Sequence, residues 1–131
     1  DRAAIRKNAT AKIDQFAIKA GPDGNPVRYL SGGNIQKVII ARELSEKPAV
    51  LVALYPTRGL DIGSAEYVHK VIIDGANQGM STILISEDLD ELLKLSDEIV
   101  VMFRGRLVGC VDPQTTTREE IGLLMSGEVQ T

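Results

Sequence analysis

The chain has 131 residues, a net charge of −3, 44% hydrophobic residues and only 4% aromatic ones. That suits one globular domain or part of one, with no apolar run long enough to span a membrane, no charged-then-apolar leader that would predict secretion, and no second cysteine for an internal disulfide, so a reducing compartment is expected. Residues 1–47 hold nine Lys/Arg against five Asp/Glu and residues 48–131 hold six against thirteen; this basic excess is too small and scattered, and aromatic residues too few, for a nucleic-acid surface.

The chain opens without an initiator Met, inside a charged helical pattern over 2–15 with Ala3, Ala4, Ile5, Ala9 and Ile13 apolar. This predicts a piece of something longer. Phe16–Lys19 reads as short and extended, and Gly21-Pro22-Asp23-Gly24-Asn25-Pro26 as a turn and the internal joint. A helix is expected over 34–46, ended by Pro48 after Lys47. Residues 49–54, apolar throughout, predict a strand buried on both faces, as in a parallel sheet. Asp61 or Gly63-Ser64 opens a helix to about Asn77, with Gly79 capping its end.

A strand over 81–86 leads into a helix from Asp88, where Asp88 and Glu91 form a capping pattern. Asp88, Asp90 and Glu91 resemble metal ligands by count, but acids at a helix start facing solvent explain them better. No metal site is expected. Residues 99–103 and 106–111 read as a hairpin about Arg104-Gly105, with Met102 and Phe103 in the core and Cys110 inert among apolar neighbours. Thr117 and Glu120 begin a last helix with Ile121, Leu123, Leu124 and Met125 apolar. His69, the only histidine, is expected at the surface. Strands alternating with helices predict an α/β fold with a mainly parallel sheet flanked by helices.

The stretch Leu30-Ser31-Gly32-Gly33-Asn34-Ile35-Gln36-Lys37 sets small residues directly before a helix. A helix start leaves backbone N–H groups unpaired and carries a partial positive charge, and small residues let an anion approach that backbone. A loop merely capped by Ser31 or Asn34 is the plainer reading. The downstream order favours the first: a strand, Pro56-Thr57-Arg58-Gly59-Leu60-Asp61, a second strand ending at Ser86, then Asp88-Leu89-Asp90-Glu91-Leu92. Five elements in this order and spacing resemble an ABC-type ATPase, from Leu30 to near the end of the chain. Leu30–Lys37 resembles the signature of tandem ATPases that drive monosaccharide and nucleoside importers.

The resemblance implies a partial P-loop NTPase (ABC ATPase) fold. Residues 1–30 would be part of a helical subdomain and linker, and 31–131 the C-terminal part of the core. It also implies that ATP sits between two such domains, held by the phosphate loop of one and the signature of the other. Ser31 would offer its hydroxyl and Gly33 its N–H to the γ-phosphate, with Gly32, Asn34 and Gln36 beside them. Gly59, Leu60 and Asp61 would face across the domain interface.

The chain departs from the family in its own nucleotide site. It has no Gly-Lys phosphate loop. By alignment on Pro56, the Mg²⁺ carboxylate falls on Leu54, the catalytic glutamate on Tyr55 and the switch histidine on Glu87. Leucine has no oxygen for Mg²⁺, a tyrosine hydroxyl is a poor base near neutral pH, and Glu87 sets a negative charge beside a γ-phosphate. No catalytic residue is therefore expected in this chain, and the piece alone should be inactive. The implied function is the degenerate second half of a tandem importer ATPase, for nucleosides first and monosaccharides second.

This half would complete in trans the site of its partner half. ATP and Mg²⁺ would act in the full assembly without binding this piece tightly. The implied partners are the other ATPase half and transmembrane permease subunits, on the cytoplasmic face of the membrane. A non-catalytic scaffold that kept the fold to dock a partner is the alternative, although a scaffold has no need of Ser31-Gly32-Gly33 or Asp61. In the family a strand before the phosphate loop lies inside the sheet. Its absence here predicts rearrangement, strand exchange or an oligomer, because unpaired buried backbone is costly.

Overall fold

The computed structural model describes residues 1–21 and 26–127. The chain folds as two compact units, Asp1–Ile83 and Leu84 onward. Most of the turn expected over 21–26 lies outside the described residues. Among the described residues no helix is long and apolar enough to cross a membrane.

The first unit opens with α1 (Arg2–Gln15), capped by the Asp1 carboxylate, which accepts from the Ala3 N–H at 2.9 Å. The helix stops at a turn over Phe16 and Ala17, where Ala17 takes a left-handed φ of 48°. That turn drives Phe16 and Ile18 inward onto Ala41 of α2 (Gly32–Glu43), with Ile13, Val38, Ile40, Leu44 and Tyr67 packed around them. Ser31 is the N-cap of α2, so the helix starts two residues before the expected Asn34. Its last turn tightens into a 3-10 segment, Leu44–Glu46, and Lys47 in the left-handed region ends it one residue ahead of Pro48.

Strand β1 (Val50–Leu54) pairs with β2 (Ser81–Ile85) in a two-stranded sheet, joined by α3 (Ile62–Asn77). The expectation of a strand buried on both faces is corrected here. Val50, Val52 and Leu54 are 55%, 61% and 62% exposed, while Leu51 and Ala53 are half-buried. Strand side chains alternate, and only one face of β1 is covered within this chain. Val68 and Ile72, one turn apart, form the buried stripe of α3, which packs on α2. His69, beside that stripe, is half-buried rather than at the open surface.

The second unit contains α4 (Leu89–Leu95), β3 (Ile99–Phe103), β4 (Arg106–Val111) and α5 (Arg118–Ser126). β3 and β4 form an antiparallel hairpin with a bulge at Val101/Met102. Its two-residue turn has positive φ at both Arg104 and Gly105, which matches the twist of the flanking strands. A reciprocal Thr117–Glu120 capping box starts α5 as the sequence predicts. Ile99, Val101 and Ile121 form the core, with Leu89, Leu92, Leu93, Val108, Val111 and Leu124 around them.

Three expectations fail in this unit. Met102 is 64% exposed and Phe103 half-buried, because side chains alternate along β3 and Ile99 and Val101 take the inward face, which leaves Val100 and Met102 outward. Cys110 is exposed, and its thiol donates to Glu98 Oε1 at 2.9 Å. That hydrogen bond, with some burial and the Glu98 charge, raises the thiol above its ordinary pKa. Glu91 is 2% exposed rather than solvated, since it sits on the same turn of α4 as the core leucines. Asp88 caps α4 from Asp90 N–H and Glu91 N–H, and Asp90 pairs with Arg118.

Candidate functional site

The start of α2 gathers the residues that the sequence singles out. Its first intrahelical bond runs from the Ile35 N–H to the Ser31 carbonyl, 2.9 Å. The N–H groups of Gly32, Gly33 and Asn34 therefore have no acceptor inside the helix. Ser31 does not cap them with its side chain. Its hydroxyl instead accepts from Asn34 Nδ2 at 2.8 Å, a bond that does not use the O–H proton. Asn34 Oδ1 in turn accepts the Lys19 N–H at 2.7 Å, so Asn34 fixes Ser31 against the segment that follows α1.

Ser31 and Gly32 are exposed, whereas Gly33 is buried. Beyond its chain neighbours and the helix's own backbone, no atom of the described residues comes within 4 Å of where a Gly32 Cβ would stand. A Gly33 Cβ would stand 2.9 Å from the Ser64 Cβ and closer still to its hydroxyl. Gly32 thus presents bare backbone to the outside, and Gly33 presents it to α3.

The segment after β1 is tied to the same helix. Gln36 Nε2 donates to the Pro56 carbonyl at 2.9 Å. Asp61 caps α3 by accepting from the Ser64 N–H at 3.0 Å and the Ser64 hydroxyl at 2.7 Å. These bonds hold the Asp61 carboxyl below the usual aspartate pKa, the Ser64 hydroxyl being the largest cause and slight desolvation opposing it. Gly59 takes a φ of 73°, which lets the loop turn toward Asp61, and Leu60 is half-buried beside it.

Because the folded pKa of Asp61 is depressed, its contribution is present above its ordinary value of 3.8 and is lost as pH falls through the folded value. Urea midpoints measured across a pH series should therefore show a stability gap between the native chain and Asp61→Asn. The gap is expected to stay constant above that pH and to narrow below it.

Leu54 and Tyr55 lie at the exposed end of β1. Tyr55 takes a left-handed φ of 46°, and the Arg58 guanidinium lies 5.6 Å from its ring centroid. Tyr55 is thus partnered by a cation at the surface instead of packing at the strand end. Glu87 is exposed and belongs to the second unit. The first unit brings Ser31, Gly32, Gly33, Asn34, Gln36 and Asp61 to one end of α2 and α3. Sequence reasoning missed Ser64 as the residue joining the two helix starts. Its signal was the Asp-x-x-Ser spacing, which read only as a helix opening.

No family model matches the chain. Among solved structures it is similar to cbiO1 from Clostridium perfringens, part of the ABC transporter complex cbiONQ. The identity is 26% and the TM-score 0.67, covering 96% of this chain and 49% of that one. In fold, the chain corresponds to part of an ABC-type ATP-binding cassette.

Its curated relatives narrow the class. It is 44% identical to the guanosine import ATP-binding protein NupO of Bacillus subtilis, over 95% of this chain and 24% of that protein. It is 42% identical to the glucose import ATP-binding protein TsgD13 of Haloferax volcanii, over 97% and 24%. The chain spans about a quarter of the length of these relatives.

Proposed function

We propose that this chain is part of the ATP-binding subunit of an ABC importer for nucleosides or simple sugars. It supplies the Ser31-Gly32-Gly33 signature in trans to ATP held by another ATPase half. The reading rests on one observation: the start of α2 combines an exposed Ser31 hydroxyl whose proton is not used in its bond with Asn34, N–H groups without an intrahelical acceptor, and exposed Gly32 backbone. Oriented donors at a helix start suit a phosphate, and their fixed geometry needs no reorganisation when charge develops on it.

The residues fit a phosphate. They do not fit a metal at the degenerate position, because Leu54 and Tyr55 bring no carboxylate there. ATP supplies the γ-phosphoryl group that passes to water. Ser31 donates to an oxygen of that group, and Asn34 keeps the hydroxyl aimed. The Gly33 N–H, with that of Gly32 beside it, is offered to the same group from the helix start. Gln36 and Asp61 hold the loop over 56–61 against the signature helix. Mg²⁺ and the catalytic base come from the other half, as do the phosphate-loop contacts. Residues 1–30 belong to a helical subdomain and linker, and the permease stands as the membrane partner. The subunit lies on the inner face of the membrane.

The test is ATP turnover of the whole subunit carrying Ser31→Arg. The added side chain fills the space where the phosphate approaches, and turnover is expected to fall about 10²-fold or more. Tyr55→Phe should leave it unchanged. Unaltered turnover in Ser31→Arg would leave this half as a scaffold and end the proposal.

A further inference from the structure

The two glycines of the signature answer to different neighbours. Neither has a positive φ, so backbone conformation does not explain either one. At Gly32 a Cβ would meet no described atom within 4 Å beyond its chain neighbours and its own helix backbone; at Gly33 it would meet the Ser64 side chain, with Asp61 Oδ2 at 3.6 Å. Ser64 cannot easily step aside, since its N–H and its hydroxyl are both committed to the Asp61 carboxylate. Real Cβ atoms essentially never approach another carbon as closely as 2.9 Å, so any side chain at position 33 moves α2 relative to α3.

We infer that Ser64 is a positioning residue for the signature: locked by Asp61, its side chain is the seat on which the Gly33 backbone rests. The seat fixes how far the start of α2 projects past the cap of α3. Ser31 and Gly32 on one side and the Gly59–Asp61 loop on the other therefore stand at a set separation. The Gln36–Pro56 bond ties the next turn of α2 to the same loop, so the two helix starts form one rigid body. Gly33 is glycine because of Ser64, within the chain, while Gly32 is glycine because of what approaches from outside.

The inference rests on the trans-signature reading. Its test is a paired substitution in the whole subunit. Gly33→Ala forces a shift of the order of 1 Å, and kcat is expected to fall about 10- to 100-fold with little change in the KM for ATP. Ser64→Gly removes both obstructing atoms. Gly33→Ala combined with Ser64→Gly is therefore expected to regain kcat to within about threefold of Ser64→Gly alone, even though the added helical glycine lowers thermal stability. A role in stability alone would give the reverse, with the double variant the worst in both readouts.

A second readout does not depend on activity. Amide exchange at Gly32–Ile35 should quicken in Ser64→Ala, which keeps the N–H bond to Asp61 but loses the hydroxyl, both its contact with Gly33 and its bond to Asp61. A double variant no better than Gly33→Ala, or unchanged exchange in Ser64→Ala, would overturn the inference. Ser31→Arg serves as the control. If it too leaves turnover intact, the signature reading has failed; if it abolishes turnover while Ser64 variants are silent, only the seat has failed.

Discussion

Gly32→Asp in the whole subunit is expected to cut ATP turnover by about 10²-fold or more while leaving the fold as stable as before. The two effects have separate causes. A carboxylate at the first position of α2 faces the positive end of the helix dipole, which favours folding. The same carboxylate sits where a γ-phosphate approaches Ser31, and two anions at that distance repel one another. Gly32→Ala sharpens the contrast. With no described atom beyond its chain neighbours and its own helix backbone within 4 Å of the new Cβ, alanine relieves the backbone entropy of glycine and should raise stability by roughly 0.4–1 kcal/mol. Its methyl group still obstructs the approach of a ligand to the bare backbone, so turnover should fall. Unfolding midpoints and turnover moving in opposite directions would mark a residue kept for a ligand at a cost to the fold. Turnover that follows stability would mean no anion meets this helix.

The order of elements was legible because local signals carried it. Asp61, Asp88 and Thr117 announced three helix starts, Arg104-Gly105 a hairpin turn, and the apolar runs at β1 and β2 two strands. The signature was legible for the same reason, being a contiguous stretch whose small residues point to backbone exposure. What failed depended on neighbours that no local pattern encodes. β1 is apolar at every position, yet half of it faces outward, since burial is decided by what covers each face and this chain covers one. Met102 lies outside the core because β3 alternates with Ile99 and Val101 inward, and its all-apolar sequence does not mark which of its two faces is covered. Glu91 turns inward because the short α4 places it among core leucines. The seat of Gly33 on Ser64 joins residues 31 positions apart. Their packing emerges only once α2 and α3 are laid together.

In the second unit the expected result is a large loss of stability from Ile121→Ala, about 2–5 kcal/mol. Ile121 is 1% exposed and meets Ile99 and Val101 where α5 lies on β3. Beside it, Leu124 covers Gly109 so closely that a Cβ there would stand 3.2 Å from Leu124 Cδ2. The neighbours of Ile121 are therefore held by backbone and have little room to close over a cavity, which puts the cost toward the upper part of that range. Net folding stability is only about 5–15 kcal/mol even for whole domains, so such a loss is a large fraction of what holds a hairpin and two short helices together. Met102→Ala, on the same strand but 64% exposed, should cost less than about 0.5 kcal/mol in this chain. Urea unfolding gives the two totals, and amide exchange locates them. Faster exchange over β3 and β4 in Ile121→Ala, with the amides of α2 and α3 unchanged, is the pattern expected of two units that each carry their own core. Exchange rising equally in α2 would mean that one cooperative core spans the chain, and Ile121 would then report on the signature helix as well.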